Sequence, residues 1–214
     1  WKPASRKPCP GIVKMGDGIL EKYQELEQRF AAWIGFRPEQ VVACSSGTAA
    51  LHLALESIRL PPGSEVITGD FNMIAIPRSI VMAGHVPVFV DCREDLNINQ
   101  ELIPGAITEN TNALIATHIY GRQCDIKGIL QVESGLPIIE DLAEAHGVQP
   151  HQETDAAVWS FYRNKIVCCS DGEGGAIAFR NPDHAALARQ LRSLGFDDNH
   201  DFRHIPRGVN ARLA

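Results

Sequence analysis

Residues 41–58 read Val-Val-Ala-Cys-Ser-Ser-Gly-Thr-Ala-Ala-Leu-His-Leu-Ala-Leu-Glu-Ser-Ile. The run Val41–Cys44 is apolar and opens on β-branched residues, Ser45-Ser46-Gly47 breaks it, and Thr48–Ile58 carries apolar residues at helical spacing. A buried strand that turns directly into a helix is half of a βαβ unit. The same alternation continues downstream. Strand-like runs appear at Glu65–Thr68, Val86–Val90, Ala113–Thr117 and Pro137–Glu140, with helix-like segments at Ile74–Ala83, Gln100–Ile107 and Ile126–Val132. Right-handed crossovers of this kind predict an α/β fold, a mainly parallel sheet flanked by helices on both faces. Two further strands, Ala156–Phe161 and Gly175–Phe179, follow one another across a glycine-rich turn instead of a helix. A last helix runs from about Asp183 to Leu194 and ends at Gly195, and Phe196–Arg207 reads as a polar loop. Upstream, Ile19, Tyr23, Leu26, Phe30, Trp33 and Ile34 mark an amphipathic helix over 18–34 with Gly35 as its stop. The three prolines of Trp1–Pro10 make the start an extended arm, so the division is an arm over 1–18 and one domain over 19–214.

The chain has 214 residues and a formal charge of −6, from 20 Lys plus Arg against 26 Asp plus Glu. That balance argues against nucleic acid or an anionic membrane as the partner, because both need a basic face. No apolar run reaches the 18 or more residues of a membrane span, and no charged-then-apolar leader opens the sequence. Cysteines stand at 9, 44, 92, 124, 168 and 169 without a Cys-x-x-Cys pair. They read as reduced thiols and place the chain in the cytoplasm. Cys124, His118, His146 and His151 lack the ligand spacing of a zinc site, so no metal is expected.

In an open α/β sheet the ligand lies beyond the carboxyl ends of the strands. Four strings there stand out. Ser45-Ser46-Gly47-Thr48 opens a helix whose free N–H groups favour a phosphate, although the same string is an ordinary Ser/Thr cap. It is neither a Walker loop nor Gly-x-Gly-x-x-Gly, which leaves NTPase and nicotinamide chemistry without support. Ile138-Ile139-Glu140-Asp141 ends an apolar strand on two carboxylates, with Glu144 and His146 a turn later. Such a carboxylate could anchor a protonated ring nitrogen, cap a helix or bind a metal. Lys165 follows Trp159-Ser160-Phe161 and could be an imine-forming nucleophile or merely a solvated lysine. Asp171-Gly172-Glu173-Gly174-Gly175 is a tight turn between strands.

In this order the four strings resemble the DegT/StrS-type sugar aminotransferases, pyridoxal-phosphate (PLP) enzymes of the aspartate-aminotransferase fold. The resemblance runs from about Leu20 onward. It includes Ile115–Gly121, similar to the family's "VHLYG", Pro87–Asp91, and Gly208–Arg212, similar to its "GYNYR". It implies that Lys165 bonds PLP covalently and then moves protons, and that Asp141 pairs with the pyridine nitrogen. Ser46, Gly47, Thr48 and Ser160 would hold the phosphate. Asn210, with Arg212 nearby, would reach the site of a neighbouring subunit, making a homodimer with shared sites. The implied reaction moves an amino group from an amino acid, glutamate or glutamine, to a keto-sugar, commonly nucleotide-linked. Two rivals remain: a PLP-dependent sugar dehydratase, in which relatives replace the lysine by histidine, and a non-catalytic dimerisation or regulatory remnant.

The sequence departs from the family pattern in three places. The ring-stacking position holds Met73, in Asp70-Phe71-Asn72-Met73, with Phe71 as the alternative. Glu144 stands where many relatives have Gln or His. Relatives also continue beyond the Asn-x-Arg segment into a C-terminal small domain, which leads to the expectation that it is missing here.

Overall fold

The computed structural model describes residues 18–133, 135–169, 172–196 and 203–213. The arm expected over 1–18 lies outside them, apart from Gly18. The elements are α1 (Gly18–Ile34), β1 (Val41–Cys44), α2 (Gly47–Ile58), β2 (Glu65–Gly69), α3 (Ala75–Met82) and β3 (Val86–Val90). They continue with α4 (Ile103–Ala106), β4 (Thr111–Thr117), α5 (Ile126–Val132), β5 (Ile138–Asp141), β6 (Ala156–Ser160), β7 (Gly175–Phe179) and α6 (Pro182–Arg192).

One seven-stranded sheet has the order β3-β2-β4-β5-β6-β7-β1. The five strands from β3 to β6 are parallel, and β7 runs antiparallel to both β6 and β1. β1 therefore points the same way as β6. The carboxyl ends of β1, β2, β4, β5 and β6 all emerge at one edge, together with the start of β7.

Alternate residues of each strand go to opposite faces. Val42, Val66, Ile115, Ile139, Val158 and Ile177 pack with α2, α3 and α6 on one face. On the other face Val41, Ala157, Trp159 and Ala178 meet Phe30 and Ile34 of α1. Ile67, Leu114 and Ile138 meet Ile103 of α4 and Ile126 and Ile129 of α5 on that same face. Both faces are covered, as the alternation requires.

A buried charge cluster ties the ends together. Glu27 Oε1 accepts from the Ala43 N–H at 2.9 Å and from Arg192 Nη1 at 3.0 Å, and Arg192 also donates to the Ala43 carbonyl. α1, β1 and α6 share this contact. Gly35 ends α1 at φ +73°, the left-handed conformation of a glycine stop.

Two stretches differ from the reading of the sequence. The helix expected over Gln100–Ile107 is a 3-10 turn, Gln100–Leu102, followed by the single turn of α4. Pro104 is the reason: without an N–H it fits only the first turn of a helix, so the helix restarts at Ile103. β4 begins two residues earlier than expected, at Thr111, whose hydroxyl donates to Glu65 Oε2 across the pair at 3.1 Å.

Candidate active site

The shared strand edge opens into a cleft of about 510 Å³. Each wall is the residue run that follows a strand.

After β1, Ser46 caps α2. Its Oγ accepts from the Ala49 N–H at 3.1 Å, and its carbonyl accepts from the Ala50 N–H at 2.9 Å. The first two helical N–H groups, of Gly47 and Thr48, have no intrahelical partner and lie at the cleft with the positive end of the helix dipole. The cradle is tightly built. A Cβ at Gly47 would stand 2.7 Å from Ser160 Cβ, and one at Gly175 would stand 2.5 Å from the Ser46 carbonyl oxygen and 2.9 Å from the Gly47 nitrogen. Backbone surrounds Gly175, so it cannot give way. Gly175→Ala is expected to lower stability by ~1–3 kcal/mol and to weaken phosphate binding at the cradle. Urea unfolding together with a phosphate-ester titration checks this, and an unchanged midpoint and affinity would count against it.

At the end of β5, Asp141 is buried at the floor. Its Oδ1 accepts from the Ala143 N–H at 2.9 Å, and Oδ2 has no bond to a described residue. Burial pushes its carboxyl up to about 6, opposed by the Ala143 N–H and by the charge of Lys165. After β6, Lys165 is fixed at its backbone by an N–H bond to the Tyr162 carbonyl at 2.8 Å. Its Nζ donates to Glu144 Oε1 at 3.0 Å. Ser160 Oγ accepts from the Tyr162 N–H at 3.3 Å, and the Ser160 carbonyl bonds His146 Nε2 at 2.9 Å.

Of the residues singled out from sequence, Ser46, Gly47, Thr48, Met73, Asp141, Glu144, Ser160 and Lys165 all line this one cleft. Met73 and Phe71 both reach it, 68% and 44% exposed. Asn210 does not. It is exposed and forms an antiparallel bridge with Ser193 beyond α6.

The sequence reading passed over Asn72 and Thr117. Asn72 Nδ2 donates to Thr117 Oγ1 at 2.9 Å and to Thr68 Oγ1 at 3.2 Å, joining the ends of β2 and β4 at the wall of the cleft. Both are polar residues at or just past strand ends, the signal that had drawn attention to Asp141. Tyr120 also lines the cleft, held at φ +51° and edge-on to Phe71, with ring centroids 6.4 Å apart.

His118, one of the residues considered for zinc, is engaged elsewhere at both ring nitrogens. His118 Nδ1 accepts from the Cys124 N–H at 3.1 Å, so Nε2 carries the proton and donates to Glu140 at 3.0 Å. Among the described residues no group of three potential ligands could hold a metal ion.

The free N–H groups at the start of α2, a buried carboxylate and a lysine meet at one strand edge, the arrangement of the class of α/β protein whose ligand sits beyond the strand ends. The comparisons narrow that class. The DegT/DnrJ/EryC1/StrS aminotransferase family matches over residues 14–214, and the chain belongs to this family. It is 37% identical over 198 residues to GDP-perosamine synthase of Caulobacter vibrioides, covering 89% of this chain and 52% of that protein. It is 34% identical over 212 residues to UDP-2-acetamido-2-deoxy-3-oxo-D-glucuronate aminotransferase of Pseudomonas aeruginosa, covering 94% and 57% respectively. The chain thus spans about half the length of the curated relatives it matches. Among solved structures, NtdA from Bacillus subtilis with bound cofactor PMP superimposes with a TM-score of 0.82 at 29% identity, over 89% of this chain and 45% of that one.

Proposed function

We propose that this chain forms the cofactor-binding part of a PLP-dependent aminotransferase that moves an amino group from glutamate or glutamine to a nucleotide-linked keto-sugar. The observation that carries the reading is the meeting of Lys165, Asp141 and the Ser46–Thr48 cradle in one cleft. The donor set fits the cofactor. Free N–H groups suit a phosphate, the open Asp141 oxygen suits a protonated ring nitrogen, and a lysine amine suits an aldehyde. The names of the two sugar-nucleotide relatives support the acceptor class.

When bound, PLP supplies an electron sink for the carbanion formed at the substrate's α-carbon. The chain's own residues do the rest. The N–H groups of Gly47 and Thr48 bind and orient the phosphate, assisted by the Thr48 and Ser160 hydroxyls. Asp141 keeps the ring nitrogen protonated. Lys165 Nζ would take a proton from the substrate α-carbon and deliver it to the carbon on the far side of the substrate nitrogen. Met73 and Phe71 cover the ring and exclude water.

A second copy of the chain would complete the site. Phe71, Met73, Ile74, Tyr120 and Ile166 are exposed at or beside its mouth, an apolar rim of the kind that partners cover. Asn210 and Arg212, exposed and away from their own cleft, are then free to enter the neighbour's. No described helix is long and apolar enough to cross a membrane. Cys44 and Cys124 are buried free thiols rather than disulfide partners, which supports a reducing, cytoplasmic setting.

The reading is tested by adding PLP and then glutamate. The chain should develop a visible absorption band that glutamate bleaches. A chain that stays colourless contradicts the reading.

A pH dependence follows from Asp141. Below about 6 its carboxyl is protonated and cannot serve as the counter-ion of a protonated ring nitrogen, so binding must expel that proton. Affinity for PLP is expected to fall as pH drops through 6, by up to about tenfold per pH unit. Fluorescence titrations of wild type and Asp141→Asn check it. The wild type should show this loss over and above any shared by the variant, and parallel profiles would refute it.

A further inference from the structure

Glu144 is the one carboxylate in contact with Lys165 Nζ among the described residues, at 3.0 Å. The pair is brought together across 21 positions of sequence by two fixed turns. On one side, the Asp141 carboxylate holds the Ala143 N–H, and the Ala145 N–H donates to the Leu142 carbonyl at 3.0 Å. On the other, the Lys165 backbone is held by Tyr162. The lysine side chain is 17% exposed and that of Glu144 is 42% exposed, so the carboxylate is the more solvated partner of the pair at the cleft wall.

Resting on the cofactor reading above, we propose that Glu144 is the charge that keeps a proton on Lys165 Nζ after this nitrogen bonds the cofactor's aldehyde carbon. The bond forms by condensation. The ammonium gives one proton to solvent, the nitrogen attacks the aldehyde carbon, and the two remaining nitrogen-bound hydrogens leave with the aldehyde oxygen as water. The nitrogen keeps a lone pair that takes up or loses one proton. A carboxylate at the contact distance of Glu144 favours the protonated form.

The other groups facing Nζ do not replace it. Asp141, from β5, is assigned to the ring nitrogen. Burial, reinforced by the charge of Lys165 itself, holds His146 below its ordinary value and therefore neutral near pH 7. Tyr162 and Glu173, from the connection between β6 and β7, line the same cleft without a bond to Nζ. Among the described residues no arginine of the same chain lines it, and an Arg212 entering from a second copy would act alike on wild type and the Glu144 variants.

The test uses absorbance, which separates the protonated from the unprotonated nitrogen, and needs no turnover. Wild type, Glu144→Gln and Glu144→Asp are saturated with PLP and titrated with pH. The midpoint for Glu144→Gln is expected about one pH unit or more below wild type. Glu144→Asp, which keeps the charge, should recover most of that difference. Equal midpoints for wild type and Glu144→Gln overturn the inference, as does an aspartate variant that shifts as far as the glutamine one. A wild-type chain that forms no band overturns the cofactor reading itself and this inference with it.

Discussion

Replacing Lys165 by alanine is expected to leave the chain folded and still able to hold PLP, but without the visible band and without a half-reaction with glutamate. The fold should survive because the side chain lies at the cleft wall and its one side-chain partner, Glu144, is itself partly exposed. The phosphate contacts proposed above come from the start of α2 and from Ser160, and the change leaves both in place. What is lost is both the covalent nucleophile and the group that moves a proton at the substrate carbon. A positioned acid–base group alone accounts for ~10²–10⁴ in rate, so the half-reaction should fall by at least ~10³ once the nucleophile is lost as well. Stopped-flow absorbance with glutamate measures this. A variant that retained the band would show that another lysine, such as Lys127 or Lys22, carries the cofactor.

The second large effect is expected at Asp141. Asparagine keeps the shape and can keep the turn bond to the Ala143 N–H, but it cannot hold a proton on the ring nitrogen by charge. The electron sink is then weakened where the carbanion forms. Binding should persist while proton abstraction falls by ~10² or more, about 2.7 kcal/mol in the barrier. An unimpaired half-reaction in Asp141→Asn would remove Asp141 from the mechanism.

The sheet was legible because its strands are short β-branched runs bounded by Gly, Ser and Asp, and because the helices between them repeat at helical spacing. β1, β3 and β7 occupy the expected residues. The misread helix at Gln100–Ile107 shows what such spacing does not weigh: apolar periodicity passes through Pro104, but the backbone hydrogen bonds do not. Thr111 and Asn112 were hidden for another reason. They are polar, and only the pairing of Thr111 with Glu65 makes them strand.

In the site, Asp141 and Lys165 drew attention because one ends and the other follows an apolar strand, where a polar residue has no packing role. The rule of strand ends could have extended to Asn72 and Thr117, whose mutual bonds exist only once β2 and β4 lie side by side. The Glu144–Lys165 ion pair could not be read at all. Glu144 looks like a loop residue until β5 and β6 pair and bring their ends together. Gly175 read as a turn glycine; its actual constraint is the Ser46–Gly47 backbone packed against it.

The central claim, that Lys165 carries the cofactor at the strand edge, is tested most directly by borohydride trapping. The chain is incubated with PLP, reduced, digested, and its peptides are mapped by mass spectrometry. One pyridoxyl adduct, on Lys165, is the predicted result. An adduct on Lys127 or Lys22, or none above the level of a denatured control, would contradict the account.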